Sequence, residues 1–210
     1  VCIISIPLAI IFIFFLVRLD FFGKLPSTEE ITNPKSYLAT EILSSDGNQI
    51  GTFFHENRVH VEYEEIPENL INALISTEDE RFFEHSGIDF RSLGRALVTL
   101  GSGGGGSTIT QQLAKLMFTQ DPARGILVRV IQKLKEWVIA IEIERRYTKQ
   151  EILTMYLNKF DFLYQAVGIH SASNVYFGKN PIDLTIEESA LLVGMCKNPS
   201  YYNPARKSRF

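Results

Sequence analysis

The chain has 210 residues, a formal net charge of −3 and 45% hydrophobic residues, which suits one globular domain with a sizeable core plus a separate apolar segment. The acidic balance argues against nucleic-acid binding. The cysteines, Cys2 in an apolar terminus and Cys196 in an apolar helix, are badly placed to pair, so no disulfide framework is implied.

Val1 to Val17 carry no charge and are dominated by Ile, Phe, Leu and Val before Arg18 and Asp20 end the run. At 1.5 Å per residue this stretch reaches roughly 25 Å, slightly short of a bilayer core of about 30 Å. The chain begins without methionine, so residues 1–19 are expected to be a transmembrane anchor that lacks its first turn. A signal-peptide core is the alternative, but Phe14, Phe15 and Leu16 are bulky where such a segment ends in small residues. The flanking Arg18, Lys24 and Asp20 do not set an orientation. Residues 20–60 read as a juxtamembrane linker, with Gly23, Pro26 and Pro34, followed by a hairpin. Its strands, Thr40 to Ser44 and Gln49 to Phe54, flank Asp46-Gly47, a pair suited to a tight type I′ turn.

From Ile66 the pattern becomes helical, and residues 61–210 are expected to form one mainly helical domain. Pro67 suits a first helical position, with Leu70, Ile71, Leu74 and Ile75 on one face. Residues Gly125 to Tyr147 predict a longer helix buried through Ile131, Leu134, Val138 and Ile141. Capping boxes, Thr148 with Glu151 and Thr185 with Glu188, announce two more helices. Their apolar faces are read as Ile152, Met155 and Tyr156 in the first and Ala190, Leu191 and Val193 in the second.

Three stretches could carry chemistry. Glu78 to Gly87 reads E-D-E-R-F-F-E-H-S-G and crowds carboxylates around Phe82 and Phe83, an arrangement that is costly if buried without partners. It is either a solvated helix end anchored by two aromatics, or a carboxylate whose desolvation raises its pKa until it can accept a proton near neutrality. Gly101 to Gly106 is glycine-rich and is followed by Ser107, Thr108, Gln111, Gln112 and Lys115. This is either a flexible linker before an ordinary capped helix, or a phosphate cradle at a helix N-terminus. The order of a nucleotide P-loop is absent. On the long helix, Arg129, Lys133, Glu136 and Ala140 share a face. That face is either a solvated salt-bridge ladder or supplies a second acid, and paired carboxylates are the usual equipment for chemistry at an anomeric carbon. Lys115, Arg129, Lys133 and Lys135 could then neutralise a pyrophosphate. The histidines show no zinc spacing, and no G-x-S-x-G elbow appears.

These residues carry a resemblance. Glu78 to Gly87 matches E-D-x-x-F-x-x-H-x-G, and Gly106 to Lys115 matches G-S-T-I-x-Q-Q-x-x-K. With Lys133 to Glu136, Tyr156-Leu157-Asn158, Tyr176-Phe177-Gly178-Lys179 and Asn198-Pro199-Ser200, the stretch from about Ile66 to Pro204 resembles the peptidoglycan glycosyltransferase domain of glycosyltransferase family 51. That domain occurs in class A penicillin-binding proteins and monofunctional transglycosylases. The resemblance implies a lysozyme-like, two-lobed, mainly α fold, with residues 61–210 as the catalytic domain on the outer (periplasmic) face of the bacterial plasma membrane, held by a single pass. It implies polymerisation of lipid II into β-1,4 strands with inversion and release of undecaprenyl pyrophosphate. The implied partners are lipid II, the nascent glycan chain, the bilayer and other cell-wall synthesis proteins.

By the same resemblance Glu78 is the general base and Glu136 the second acid, which organises the pyrophosphate through neighbouring cations or a magnesium or manganese ion; no organic cofactor is implied. Ser107, Thr108, Gln111, Gln112, Lys115, Arg129 and Lys133 match donor-side contacts, Arg95 resembles a further phosphate-binding arginine, and Asp79, Phe82 and His85 shape the surroundings of the base. The chain departs from the family where Gln132 replaces the arginine before Lys133, a loss that Arg129 or Lys135 would make good. It departs again where Asp161 to Gln165 replaces Y-F-G-x-G. It has no transpeptidase motifs, and because it stops at Phe210 a longer bifunctional protein is expected, a free-standing transglycosylase being the alternative. Two other readings remain: a lysozyme-like hydrolase or lytic transglycosylase that cuts glycan, and a non-catalytic membrane scaffold.

Overall fold

The computed structural model describes residues 12, 14–32, 40–43, 49–53, 59–99, 105–119 and 125–206. Cys2, His55, the Asp46-Gly47 turn and the glycines at 101–104 lie outside them. In chain order the elements are α1 (Thr28–Thr32), β1 (Thr40–Leu43), β2 (Gln49–Phe53), α2 (Glu68–Glu78), α3 (Phe90–Val98), α4 (Ile109–Phe118), α5 (Ile126–Glu144), α6 (Lys149–Lys159), α7 (Ile169–Phe177), α8 (Ile186–Lys197) and α9 (Pro199–Tyr202). Short 3-10 turns separate several of them. The domain is mainly α, as its helical periodicity predicts. The strands pair antiparallel from Thr40 opposite Phe53 to Leu43 opposite Gln49, with an irregularity between Ile42 and Leu43.

The chain divides into two compact units. The first comprises Val1–Pro34 and Phe83–Ile152, the second Lys35–Phe82 and Leu153–Phe210. In the first, α4 packs against α5, burying Ile109, Leu113, Ala114, Ile139, Ala140 and Ile143. Residues 14–18 are helical, and Phe14 stacks on Trp137 with ring centroids 5.9 Å apart. The Tyr147 hydroxyl reaches the carbonyls of Ile31 and Thr32 at 3.0 Å each. Among the described residues no helix is long and apolar enough to cross a membrane.

In the second unit, α2 lies along α8 over a core that includes Leu70, Leu74, Leu153, Tyr156, Leu157, Phe162, Ile169 and Leu192. Asn158 grips the backbone of Val61 from both sides: its Oδ1 accepts from the Val61 N–H at 3.0 Å, and its Nδ2 donates to the Val61 carbonyl at 2.8 Å. Gly168 (φ +82°) must lack a side chain, because a Cβ there would stand 2.8 Å from the Asn158 carbonyl oxygen. Where the sequence departs from Y-F-G-x-G, Leu163, Tyr164 and Gln165 all take left-handed φ values of 68°, 51° and 63°. L-residues pay roughly 1–2 kcal/mol each for this conformation. The loop is closed by Phe162 N–H to Ala166 O at 2.9 Å, and the Tyr176 hydroxyl donates to the Phe162 carbonyl at 2.6 Å. Asn203 in turn donates to the Tyr176 oxygen at 2.8 Å.

Both capping boxes form. Thr148 and Glu151 exchange bonds of 2.7 and 3.3 Å, and Thr185 and Glu188 do the same at 2.8 and 3.3 Å. Several finer expectations need correction. Pro67 is the N-cap rather than the first helical residue, with extended φ and ψ. Ile131, Leu134, Val138 and Ile141 are only half-buried; the buried stripe of α5 is Glu136, Ile139, Ala140 and Ile143. On α8 the buried face is Ser189, Leu192, Val193 and Cys196, while Ala190 is exposed. In both helices the period is as read but the phase is rotated, because each buried face is shared with a polar residue, Glu136 or Ser189, that a hydropathy reading assigns to solvent. On α6, Met155 is half-buried and Leu153 takes its place in the core beside Ile152 and Tyr156.

Candidate functional site

Glu78, Asp79 and Phe82 belong to the second unit. Glu78 is the last residue of α2 and half-buried; Asp79 is 6% exposed and its carbonyl accepts from Phe82 N–H at 2.8 Å. Phe82 is fully buried, whereas Phe83 is 61% exposed. Next to Glu78 lie Tyr156 and Cys196, buried and hydrogen-bonded to each other. Burial, and after it the neighbouring charges including that of Glu78, push the phenol and the thiol well above their ordinary range.

The first unit holds the other site residues. Thr108 caps α4, its hydroxyl accepting from Gln111 N–H at 3.2 Å. The same hydroxyl donates to the Gly87 carbonyl at 2.8 Å, and the Gln111 amide donates to that carbonyl at 3.0 Å. Thr108 and Gln111 are each 1% exposed, so their side chains are turned inward to the end of the E-D-E-R-F-F-E-H-S-G stretch. Gly87 (φ +91°) lies against α5, since a Cβ there would stand 3.0 Å from the Ala140 carbonyl carbon and oxygen. The His85 ring accepts from Gly87 N–H at 3.2 Å.

One turn before Ala140 lies Glu136, 5% exposed. A carboxylate this buried requires a counter-charge, and Lys133 provides it at 3.1 Å. The same ammonium donates to Ser107 Oγ at 2.9 Å. Ser107, Lys133 and Glu136, dispersed in the sequence, therefore form one cluster at the start of α4. Gln112 is half-buried; Lys115, Arg95 and Arg129 are exposed, and Arg95 reaches Ser92 Oγ at 3.3 Å. Lys135 Nζ is only 3.1 Å from where a Cβ on Gly23 would be, so it is directed to the N-terminal segment, whereas Arg129 shares the helical face of Lys133. Among the described residues no group of three or more His, Cys, Asp or Glu side chains is arranged to hold a metal.

Sequence reading missed Glu144, Lys149 and Thr110. Thr110 Oγ1 donates to Glu144 Oε1 at 2.6 Å, and Lys149 Nζ donates to the same oxygen at 2.8 Å and to the His85 carbonyl at 2.7 Å. Glu144 and Lys149 flank a helix break, where no side-chain periodicity signals that they meet.

Comparison with known proteins places the chain in a family. The family model described as Transglycosylase matches residues 46–210. The chain is 42% identical over 173 residues to penicillin-binding protein 1F of Bacillus subtilis, covering 80% of this chain and 23% of that protein. It is 40% identical over 185 residues to penicillin-binding protein 1A of Escherichia coli, covering 86% of this chain and 21% of that protein. With penicillin-binding protein 1A of Vibrio cholerae the identity is 39% over 208 residues, 97% of this chain and 24% of that protein. The chain thus spans about a quarter of the length of these relatives. On the family match over residues 46–210 and these identities, the chain belongs to the transglycosylase family.

Proposed function

We propose that this chain polymerises lipid II into β-1,4 glycan strands as a peptidoglycan glycosyltransferase. The observation that carries the reading is the Ser107–Lys133–Glu136 cluster at the N-terminus of α4, in a chain of this family. Glu78 takes the proton from the acceptor's 4-hydroxyl as that oxygen bonds to the donor's anomeric carbon. The bond from this carbon to the pyrophosphate breaks, and undecaprenyl pyrophosphate leaves with the electron pair. A single displacement turns the α linkage into a β linkage. Lys133, held in place by Glu136 and Ser107, together with Lys115, Arg95 and Arg129 takes up the charge developing on the leaving group, where oriented cations stabilise a transition state most. Arg129 stands in for the missing arginine at Gln132, since Lys135 is directed elsewhere.

The substrate's lipid tail requires a membrane surface, and the first unit supports one. Ile126 and Leu127 on α5 are 81% and 79% exposed, and Phe15, Leu19 and Phe21 are 57%, 60% and 72% exposed. Exposed apolar side chains of this kind suit a membrane surface, and Arg18 on Glu142 at 3.9 Å ties the N-terminal segment to α5. We infer a single-pass anchor with the catalytic domain on the outer face of the plasma membrane. The test is glycan polymer formation from purified lipid II, with and without magnesium or manganese, by the wild type and Glu78→Gln. Polymer from the wild type and none from the variant is expected. Full activity in the variant overturns the role of Glu78, and release of soluble fragments from finished peptidoglycan without polymer from lipid II overturns the reaction.

A further inference from the structure

Glu144 is an expensive residue where it stands. Its side chain is 5% exposed, and it is the last residue of α5, where the helix dipole disfavours an anion. Lys149 opens α6, where the dipole disfavours a cation. Neither helix favours its own charge, so the two are held by what they do together. They meet at 2.8 Å, Thr110 adds a 2.6 Å bond from α4, and Lys149 passes a 2.7 Å bond to the His85 carbonyl.

From there the bonding runs to the proposed pyrophosphate site. The His85 ring accepts from Gly87 N–H, and the Gly87 carbonyl is taken by Thr108 and Gln111 at the start of α4. Gly87 itself touches the α5 backbone at Ala140, one turn from Glu136. Ser107, next to the cap Thr108, holds the Lys133 ammonium that pairs with Glu136. The His85–Gly87 turn is therefore a spacer between the N-terminus of α4 and the catalytic stretch of α5.

We propose that Glu144 and Lys149 are positioning residues for the glycosyl transfer, clamping the His85–Gly87 turn so that Ser107, Lys133 and Glu136 keep their mutual geometry. The proposal rests on the glycosyltransferase reading and also assigns Thr108 and Gln111 to this brace. Because displacement of about 1 Å in a catalytic array can cost about 100-fold in rate, the loss should fall on turnover rather than on donor binding.

The experiment measures kcat, donor KM and melting temperature for the wild type, Lys149→Met, Lys149→Arg and the double variant Glu144→Met/Lys149→Met, with lipid II in detergent. Lys149→Met should lose about 10- to 100-fold in kcat, with KM within about threefold of wild type. The double variant removes the unpaired buried carboxylate and should regain thermal stability while remaining slow. Lys149→Arg, which can still donate to both oxygens, should restore most of the turnover. A double variant that recovers stability and wild-type kcat together would make the pair structural only and overturn the proposal, as would a Lys149→Met whose sole change is a raised KM. If the wild type makes no polymer, the glycosyltransferase reading falls instead; if it does and every variant matches it, this inference alone fails.

Discussion

In the first unit some polar side chains converge on one another, Lys133 on Ser107 and Glu136 and Lys149 on Glu144, while Thr108 and Gln111 are spent on the Gly87 carbonyl. In the second unit two motif residues are spent on backbone, although Lys179 pairs with the Glu188 carboxylate. Asn158 is consumed by Val61, and Tyr176, steadied by Asn203, by the Phe162 carbonyl. Both kinds of residue look alike in the sequence, as polar letters in a motif. The difference lies in the partner. Asn158, bonded on both edges to backbone, is 8% exposed and turned away from solvent, whereas the Lys133 ammonium, 37% exposed, still has a side open to solvent. Motif polarity thus marks constraint, and the hydrogen-bond partner tells whether the constraint is scaffolding or chemistry.

The largest effect expected from this contrast is at Asn158. Asn158→Ala would leave the Val61 N–H and C=O unpaired at a residue 1% exposed, a loss of about 3 kcal/mol. Denaturant unfolding should show it, while turnover per folded molecule stays at the wild-type level; a variant that folds stably but turns over slowly would erase the distinction. Lys133→Ala should behave in the opposite way. It strands a buried carboxylate at about 2 kcal/mol, tempered by the exposure of the lysine, and lowers polymerisation on the order of 100-fold. Equal effects of the two substitutions on stability and on turnover would collapse the comparison. The smallest effect sharpens it from the scaffold side. Gln165 is exposed and left-handed, so Gln165→Gly removes about 1–2 kcal/mol of strain against about 0.5–1 kcal/mol of added chain entropy. A net gain of roughly 0.5 kcal/mol, read as a slightly higher denaturation midpoint, is expected; a loss would mean that the Gln165 side chain has a role of its own.

Several local features were legible in advance because their causes are local. The capping boxes at Thr148 and Thr185 depend on residues three apart, and these formed as read. The motif letters pointed to the right side chains for the Ser107–Lys133–Glu136 cluster but not to its bonds, since Ser107 and Lys133 are 26 positions apart. The clamp at Glu144 and Lys149 left no periodic trace at all, because the two charges meet across a break between helices.

Sequence by itself determined the helical period, the helix starts marked by capping boxes, and the family. Tertiary structure decided the phase of α5 and α8. A hydropathy pattern assigns Glu136 and Ser189 to water, and their partners make it cheaper to bury them: for the carboxylate Lys133, one turn away on the same helix and itself held by Ser107 from the start of α4, and for the hydroxyl Asn69 at 3.2 Å. Desolvation of a polar group is offset only by a correctly placed partner, and Ser107 and Asn69 reach Lys133 and Ser189 from other elements, so the face a helix buries is settled where the elements meet.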